Sequence, residues 1–276
     1  MFDRWLVVTD MDGSLLNHHD YNYAAAVPVL EKLEQREIPV ILNTSKTYAE
    51  LKQWVADLNL KHPFIVENGS AIFVPEDYFP QTYIDQYLGD AEKHDNYLVL
   101  VIGEPIERLN DFVKKINPPA VNFTTCSVEK AVELTDLSED AAQRAQTRMF
   151  TVPLAFETRE QEVEFTKTAR IAGFNCLRGG RFLHVQGYCH KGFSMQTLKQ
   201  LYQGNHELSY GLIALGDSNN DQAMLDHADI PVVVKSPNSD LLQFDHPEHV
   251  IFTKHTAPEG WAEGVTLALA SQSIIL

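Results

Sequence analysis

The 276-residue chain is poor in cysteine and in cations, and it has no long apolar run. Cys126, Cys176 and Cys189 are odd in number, widely spaced and in no metal-binding pair. That excludes a disulfide-stapled scaffold and a zinc ribbon, and it reads as reduced thiols in a cytoplasmic protein. No apolar stretch approaches the ~20 residues that a membrane-spanning helix requires. No basic segment leading into an apolar run and a small-residue cleavage site opens the sequence, so no secretory signal is expected. Lys and Arg number 22 against 38 Asp and Glu, a formal net charge of −16. A surface of that sign repels nucleic acid and anionic membranes, so neither is expected as a partner. The same deficit constrains any anionic substrate, which needs cations gathered locally, from a metal ion or from a few well-placed Lys and Arg side chains.

What is present is an ordinary globular composition, 44% hydrophobic and 22% charged, long enough for one or two cores. The run Trp5-Leu6-Val7-Val8 reads as a strand buried on both faces of a parallel sheet. It is followed by Asp10 and by the turn chemistry of Asp12-Gly13-Ser14. A helix over 24–35 comes next, with Pro28 tolerable only in its first turn. A strand at 39–42, a helix over 47–58 and a strand at 64–66 continue the alternation, which predicts parallel pairing with right-handed crossovers. After about Val74 the rhythm changes. Strands are expected at 97–102 and 149–156, and helices at 106–116 and 158–172, the latter opened by a Thr158–Gln161 capping box. A hairpin over 176–186 turns at Gly179-Gly180. The alternation resumes with a helix at 193–202, a buried strand at 212–215, and Gly216-Asp217-Ser218-Asn219-Asn220-Asp221 leading into a helix through Ala228. Short strands at 231–234 and 250–252 and a helix over 258–269 close the chain. The expectation is an α/β protein with a Rossmann-like parallel-sheet core from residues 1–80 and 188–276, and an α+β module inserted at 81–187.

Four stretches carry chemistry, three of them at carboxyl ends of expected strands, where open α/β sheets bind ligands. They are Asp10 with Asp12, Thr44-Ser45-Lys46, Lys191-Gly192 at the head of the helix after the insert, and Asp217 with Asp221. Phosphate monoester hydrolysis is among the slowest uncatalysed reactions, and a carboxylate nucleophile divides it into two easier steps. Carboxylates repel a phosphate dianion, so a hard cation must lie between them, and Mg2+ suits that place. Asp10 and Asp217 are candidates for its cage, with Lys191 and the Thr44 hydroxyl for the phosphoryl oxygens. Taken singly, each stretch has a plainer explanation: Thr44 as a helix cap, Lys191 as a solvated lysine, and GDSNND as an acidic loop or a degenerate calcium loop without its later Glu. Their joint occurrence in this order favours the chemical reading.

In that order the stretches resemble the haloacid-dehalogenase-like (HAD) phosphatase superfamily. DMDGSLL is similar to its DxDG signature, NTSK to its second motif, KG to its third and GDSNND to its GDxxND fourth. The place of the insert is similar to the C2-type cap of the Cof-like, type IIB branch. Within that branch SKT (45–47), ENGSAI (67–72) and RGGRFLHV (178–185) resemble the mannosyl-3-phosphoglycerate phosphatase family, over nearly the whole chain. Ser45-Lys46 stands where many sugar phosphatases of the branch carry Gly-Arg, and Val152-Pro153 where an acidic residue commonly precedes the proline. The resemblance implies that Asp10 is the nucleophile and Asp12 the general acid and base, and that Thr44 and Lys191 hold the phosphoryl group. Mg2+ would be ligated by Asp10, the backbone carbonyl of Asp12 and Asp217, with Asp221 as ligand or support. The implied substrate is a small phosphorylated sugar or glycerate, with Ser45 and Lys46 beside it. Arg178, Arg181 and His184 of the cap hairpin would face the strand ends and bind its carboxylate or sugar, because a planar guanidinium suits carboxylates. The plainer reading keeps them as solvated strand residues. A sugar phosphomutase of the same superfamily, a phosphoacceptor signalling domain and a catalytically silent binding protein are the alternatives.

Overall fold

A computed structural model describes residues 2–89, 91–237 and 239–276. In chain order its first part holds β1 (Arg4–Thr9), α1 (Val27–Gln35), β2 (Val40–Leu42), α2 (Tyr48–Asp57), β3 (Phe64–Val66), β4 (Ala71–Pro75), α3 (Gln81–Tyr87), β5 (Glu92–His94) and β6 (Tyr97–Val101). There follow α4 (Ile106–Ile116), β7 (Ala120–Asn122), α5 (Val128–Thr135), α6 (Glu139–Gln146), β8 (Thr151–Phe156), α7 (Arg159–Ile171), β9 (Asn175–Gly179) and β10 (Phe182–Gln186). The last part holds α8 (Lys191–His206), β11 (Tyr210–Gly216), α9 (Gln222–Asp226), β12 (Ile230–Val233), β13 (Ile251–Phe252) and α10 (Glu259–Ser271).

The core is a parallel five-stranded sheet in the order β13-β12-β11-β1-β2. Alternate residues of its strands serve opposite faces. Trp5, Val7, Leu42, Ile213 and Leu215 pack with Leu33, Leu51 and Trp261 on one side. Leu6, Val8, Ile41, Leu212 and Ala214 pack with Met195, Leu198 and Met224 on the other. Burial on both faces explains the unbroken apolar runs, each such side chain contributing roughly 1.5–3 kcal/mol. β1 lies between β2 and β11, so adjacent connections diverge from it, and a crevice opens at the carboxyl ends of β1 and β11.

The sheet does not stop at β2. A parallel bridge between Asn43 and Ile65 carries it to β3, and antiparallel pairing continues it through β4, β6 and β5. Ile84 and Leu88, in and just after α3, join the same apolar cluster as Leu6 and Val8. We propose on this ground that the cap begins near Glu104 rather than at residue 81. The loss of strand–helix rhythm after about Val74 coincides with a change from parallel crossovers to antiparallel pairing in the strands that the Asn43–Ile65 bridge joins to the core.

The cap is an antiparallel sheet, β7-β8-β10-β9. Val152, Leu154, Leu183 and Val185 pack on Leu109 and Phe112 of α4 and on Phe165 of α7. Beside the other face, Ala131 of α5 and Ala142 and Ala145 of α6 enclose Phe123, with Phe182 against them. Local rules hold well: Pro28 lies in the first turn of α1, and Thr158 with Gln161 forms the capping box of α7. The hairpin turn is shifted by one residue, because Gly179 pairs with Phe182 and leaves Gly180-Arg181 as the turn, with Gly180 at φ +53°. Among the described residues no helix is long and apolar enough to cross a membrane.

Candidate active site

The site begins where β1 ends. The Asp10 N–H continues the ladder by donating to the Leu215 carbonyl at 2.9 Å. The Thr9 hydroxyl donates to the Asp10 carbonyl at 2.7 Å and accepts from the indole N–H of Trp261 at 3.0 Å. The turn that follows is closed by Gly13 and Leu16, whose N–H groups bond to the carbonyls of Leu16 and Met11. Gly13 sits at φ +82°, and a Cβ there would lie 2.6 Å from Asp217 Oδ2. Glycine thus lets the Asp10–Asp12 turn press against the end of β11.

β11 delivers Asp217, and the short 3-10 turn Asn219–Asp221 returns Asp221 beneath it. Asp221 Oδ2 accepts the N–H groups of Asp217 and Ser218 at 3.1 and 3.2 Å. Its Oδ1 accepts from Lys191 Nζ at 2.6 Å, and the same ammonium donates to Asp10 Oδ1 at 2.6 Å. Asn43 steadies that lysine by donating to its carbonyl at 3.0 Å. Asp10, Asp217 and Asp221 each offer a carboxylate oxygen, all within 4.8 Å of one another. Burial pushes Asp10 up to about 7, opposed by Lys191 and reinforced by Asp221 and Asp12. Burial likewise pushes Asp217 up to about 8, with Asp221 and Asp10 adding to it. Burial opposes the charge on Lys191, but Asp10 and Asp221 outweigh it and hold the ammonium protonated. Such a cluster is what a hard divalent cation neutralises, and Asp217 Oδ1 and Asp12 Oδ1 are both buried without a partner.

A second wall comes from the turn after β2. Thr44 is buried, its hydroxyl accepting the Lys46 N–H at 3.3 Å. Lys46 Nζ pairs with Asp12 Oδ2 at 2.7 Å, lies 4.0 Å from Glu50 and rests over the Tyr21 ring. Burial works against its charge, but Asp12 and Glu50 raise its pKa overall. Ser45 lines the cleft, and its carbonyl accepts from Arg148 Nη2 at 2.8 Å.

Between these walls and the cap lies a cleft of about 610 Å³. His184 borders it, buried, with Nδ1 lacking a partner. Burial, helped by the Arg148 charge, pushes this imidazole down to about 3, so the ring is neutral. Arg178 and Arg181, expected to face the strand ends and bind the substrate, both border the cleft, and each is already paired with an acid of the cap. Arg178 stands opposite Leu183, on the face turned toward α7, and is paired with Glu162, which also holds Arg159. Arg181 is paired with Asp136 at 2.8 Å and donates to the Leu134 carbonyl at 2.7 Å.

Three residues of the site escaped sequence reasoning. Trp261 fixes the strand end, as described above. Glu67 is fully buried in the turn between β3 and β4, with Asn68 and Gly69 also at positive φ. It accepts the N–H groups of Met149 and Phe150 at 2.8 and 3.2 Å and the Thr151 hydroxyl at 2.7 Å. Arg148 lies 3.3 Å from the same carboxylate through Nε. The Asn-Gly pair signalled a turn, but nothing local marks Glu67 as buried or Arg148 as its partner, since the contacts span about eighty positions.

Residues 7–245 match the family described as haloacid dehalogenase-like hydrolase. A glucosyl-3-phosphoglycerate/mannosyl-3-phosphoglycerate phosphatase of Persephonella marina is 33% identical over 263 residues, 94% of this chain and 95% of that one. A protein of the same description from Methanococcoides burtonii is 35% identical over 95% of this chain and 96% of its own. The mannosyl-3-phosphoglycerate phosphatase of Pyrococcus furiosus is 31% identical over 83% and 90%. Among solved structures, a Thermoplasma acidophilum protein superposes with a TM-score of 0.66 at 16% identity, covering 98% of each chain. A HAD-superfamily phosphatase from Bacteroides thetaiotaomicron gives 0.65 at 15% identity, over 99% of this chain and 96% of that one. Sequence likeness over nearly the whole length and a shared architecture lead to one conclusion: the chain belongs to the haloacid dehalogenase-like hydrolase family.

Proposed function

We propose that this protein is a Mg2+-dependent phosphomonoesterase that works through an aspartyl-phosphate on Asp10 and acts on a glycosyl-3-phosphoglycerate, glucosyl or mannosyl. One observation carries the reading. Asp10 stands at the switch point of the sheet, joined to Lys191 at 2.6 Å and facing Asp217, while Asp12 and Asp217 each keep a buried oxygen unpartnered. That donor set fits Mg2+, which Asp10, Asp217 and the backbone carbonyl of Asp12 would hold. When bound, the ion would offset the repulsion between these carboxylates and a phosphate dianion. Asp221 supports rather than ligates, because Lys191 and two backbone N–H groups already occupy its oxygens.

In the first step an Asp10 oxygen bonds to phosphorus as the ester P–O bond breaks. Lys191 and the Thr44 hydroxyl take up charge on the phosphoryl oxygens. Asp12 gives its proton to the leaving oxygen through Oδ1, while Lys46 fixes Oδ2. In the second step Asp12 takes a proton from the water that attacks phosphorus, and Asp10 and phosphate are released. The substrate assignment rests on the two relatives at 33 and 35% identity, whose coverage extends through the cap. A cytoplasmic setting is consistent with Cys126, Cys176 and Cys189 all being unpaired. Phosphate release from glucosyl- and mannosyl-3-phosphoglycerate, compared with simple sugar phosphates, tests the reading. Release is expected to vanish with EDTA, return with Mg2+ and be absent in Asp10→Asn, whereas wild-type turnover by Asp10→Asn sinks it.

A further inference from the structure

A glycosyl-3-phosphoglycerate differs from a plain sugar phosphate in one charged group. Its carboxylate lies two carbons from the phosphorylated carbon, so the group that reads it must stand close to the phosphate site. The hairpin arginines do not fit that place. Their side chains are 44% and 60% exposed, on the rim, and each is paired to an acid of the cap.

Arg148 does fit. Its side chain is only 5% exposed, yet it borders the cleft. Nη2 donates to the carbonyl of Ser45, the residue next to Thr44. Nε donates to the Thr151 hydroxyl at 2.6 Å and faces Glu67 at 3.3 Å. The fork is therefore fixed on two sides, by the core turn and by the cap strand, while Nη1 has no protein partner among the described residues. Glu67 does not exhaust the charge, because its two oxygens are shared with two N–H groups and the Thr151 hydroxyl. The His184 ring lines the same cleft, within reach of the Arg148 charge, with its own buried Nδ1 unpartnered. A preorganised guanidinium with one free edge, in a water-poor wall next to the phosphate turn, is a carboxylate receptor.

We propose that Arg148, through its Nη1 edge and with His184 lining the same cleft, binds the carboxylate of the glycerate unit and selects phosphoglycerate esters over plain sugar phosphates. This rests on the phosphoglycerate reading above and adds the residue that enforces it. Glu67 is then a positioning residue, orienting the fork rather than touching the substrate.

The test measures kcat and KM for mannosyl-3-phosphoglycerate and for its analogue with the carboxylate reduced to an alcohol, in the wild type, Arg148→Gln and Arg148→Lys, with thermal melts alongside. The wild type is expected to prefer the acid by about 30-fold or more. Arg148→Gln is expected to abolish that preference, and Arg148→Lys, which keeps the charge without the fork, to retain only part of it. If Arg148→Gln fails to fold, the partial loss in Arg148→Lys decides. A wild-type preference that survives in the variants, with both substrates slowed equally, overturns the inference and leaves Arg148 as a structural tie between cap and core. A wild type that treats acid and alcohol alike, and hydrolyses plain sugar phosphates better than either, overturns the phosphoglycerate reading itself.

Discussion

At the scale of single residues, the cleft is built from ionisable groups whose charge states are set by what encloses them. His184 is the clearest case, since a neutral imidazole is buried where it cannot readily gain a proton. Its pKa is about 3 in the folded chain against 6.5 for the free side chain. Between those values the unfolded chain binds a proton that the folded chain does not, so stability rises with pH across the window. The contribution is complete above pH ~6.5 and is lost as the pH falls toward 3, which amounts to roughly 2 kcal/mol between pH 7 and 5. His184→Asn is expected to remove this part of the slope, narrowing the fall in melting temperature between those two pH values by roughly 5 °C. Unchanged pH dependence in the variant counts against a buried neutral ring. The residues legible in the sequence were those whose signal is local. Asp10, Asp12, Thr44, Asp217 and Asp221 each follow a strand that its own apolar run announces. The pairing of Arg178 with Glu162 and of Arg181 with Asp136 was not legible, because nothing in RGGRFLHV tells which face of β9 turns toward α7.

Among elements, α2 does more than cover the sheet. Thr47 caps it in a reciprocal box with Glu50. The same hydroxyl reaches the Arg144 carbonyl of α6 at 2.9 Å, so a helix cap of the core also grips the cap domain. Thr47→Ala is expected to cost about 1–2 kcal/mol in chemical denaturation, while Thr47→Ser, which keeps the hydroxyl, stays close to wild type. Equal losses in both variants would mean that the methyl group, not the hydroxyl, carries the effect. The helices flanking the parallel strands of the core were legible because their apolar spacing is strong, whereas α3, a single short stretch with Ile84 as its buried residue, was not. α5 and α6 were not: α6 reads EDAAQRAQ, whose buried contribution is alanine, and its start is set by the Ser138 hydroxyl accepting the Ala141 N–H. Strand β5, with two exposed residues and one half-buried, carries no alternation to read.

For the whole molecule, a net charge of −16 opposes the approach of the proposed substrate, which would bear both a phosphate and a carboxylate. Beyond a Debye length an incoming anion feels the summed charge rather than the few cations at the mouth. Raising NaCl from ~20 to ~200 mM is therefore expected to increase kcat/KM by roughly twofold or more, with kcat little changed. A steep fall instead would show that Arg159, Arg178 and Arg181 at the mouth govern approach.

The placing of β1 in the middle of the sheet also sets a timetable. Its register with β11 runs from Arg4 opposite Tyr210 to Thr9 opposite Leu215, and the Asp3–Ser209 bond spans 206 positions. During synthesis β1 can join β2 early, but its other edge stays open until the cap and α8 have emerged. The cap sheet, by contrast, closes within one continuous segment. A nascent chain thus carries an unpaired apolar edge through most of its translation, the condition under which strands seek wrong partners. The strand made first is sealed late, and Asp10 meets Asp217 only at that sealing. The chain gathers its buried carboxylate cluster as its central sheet is completed.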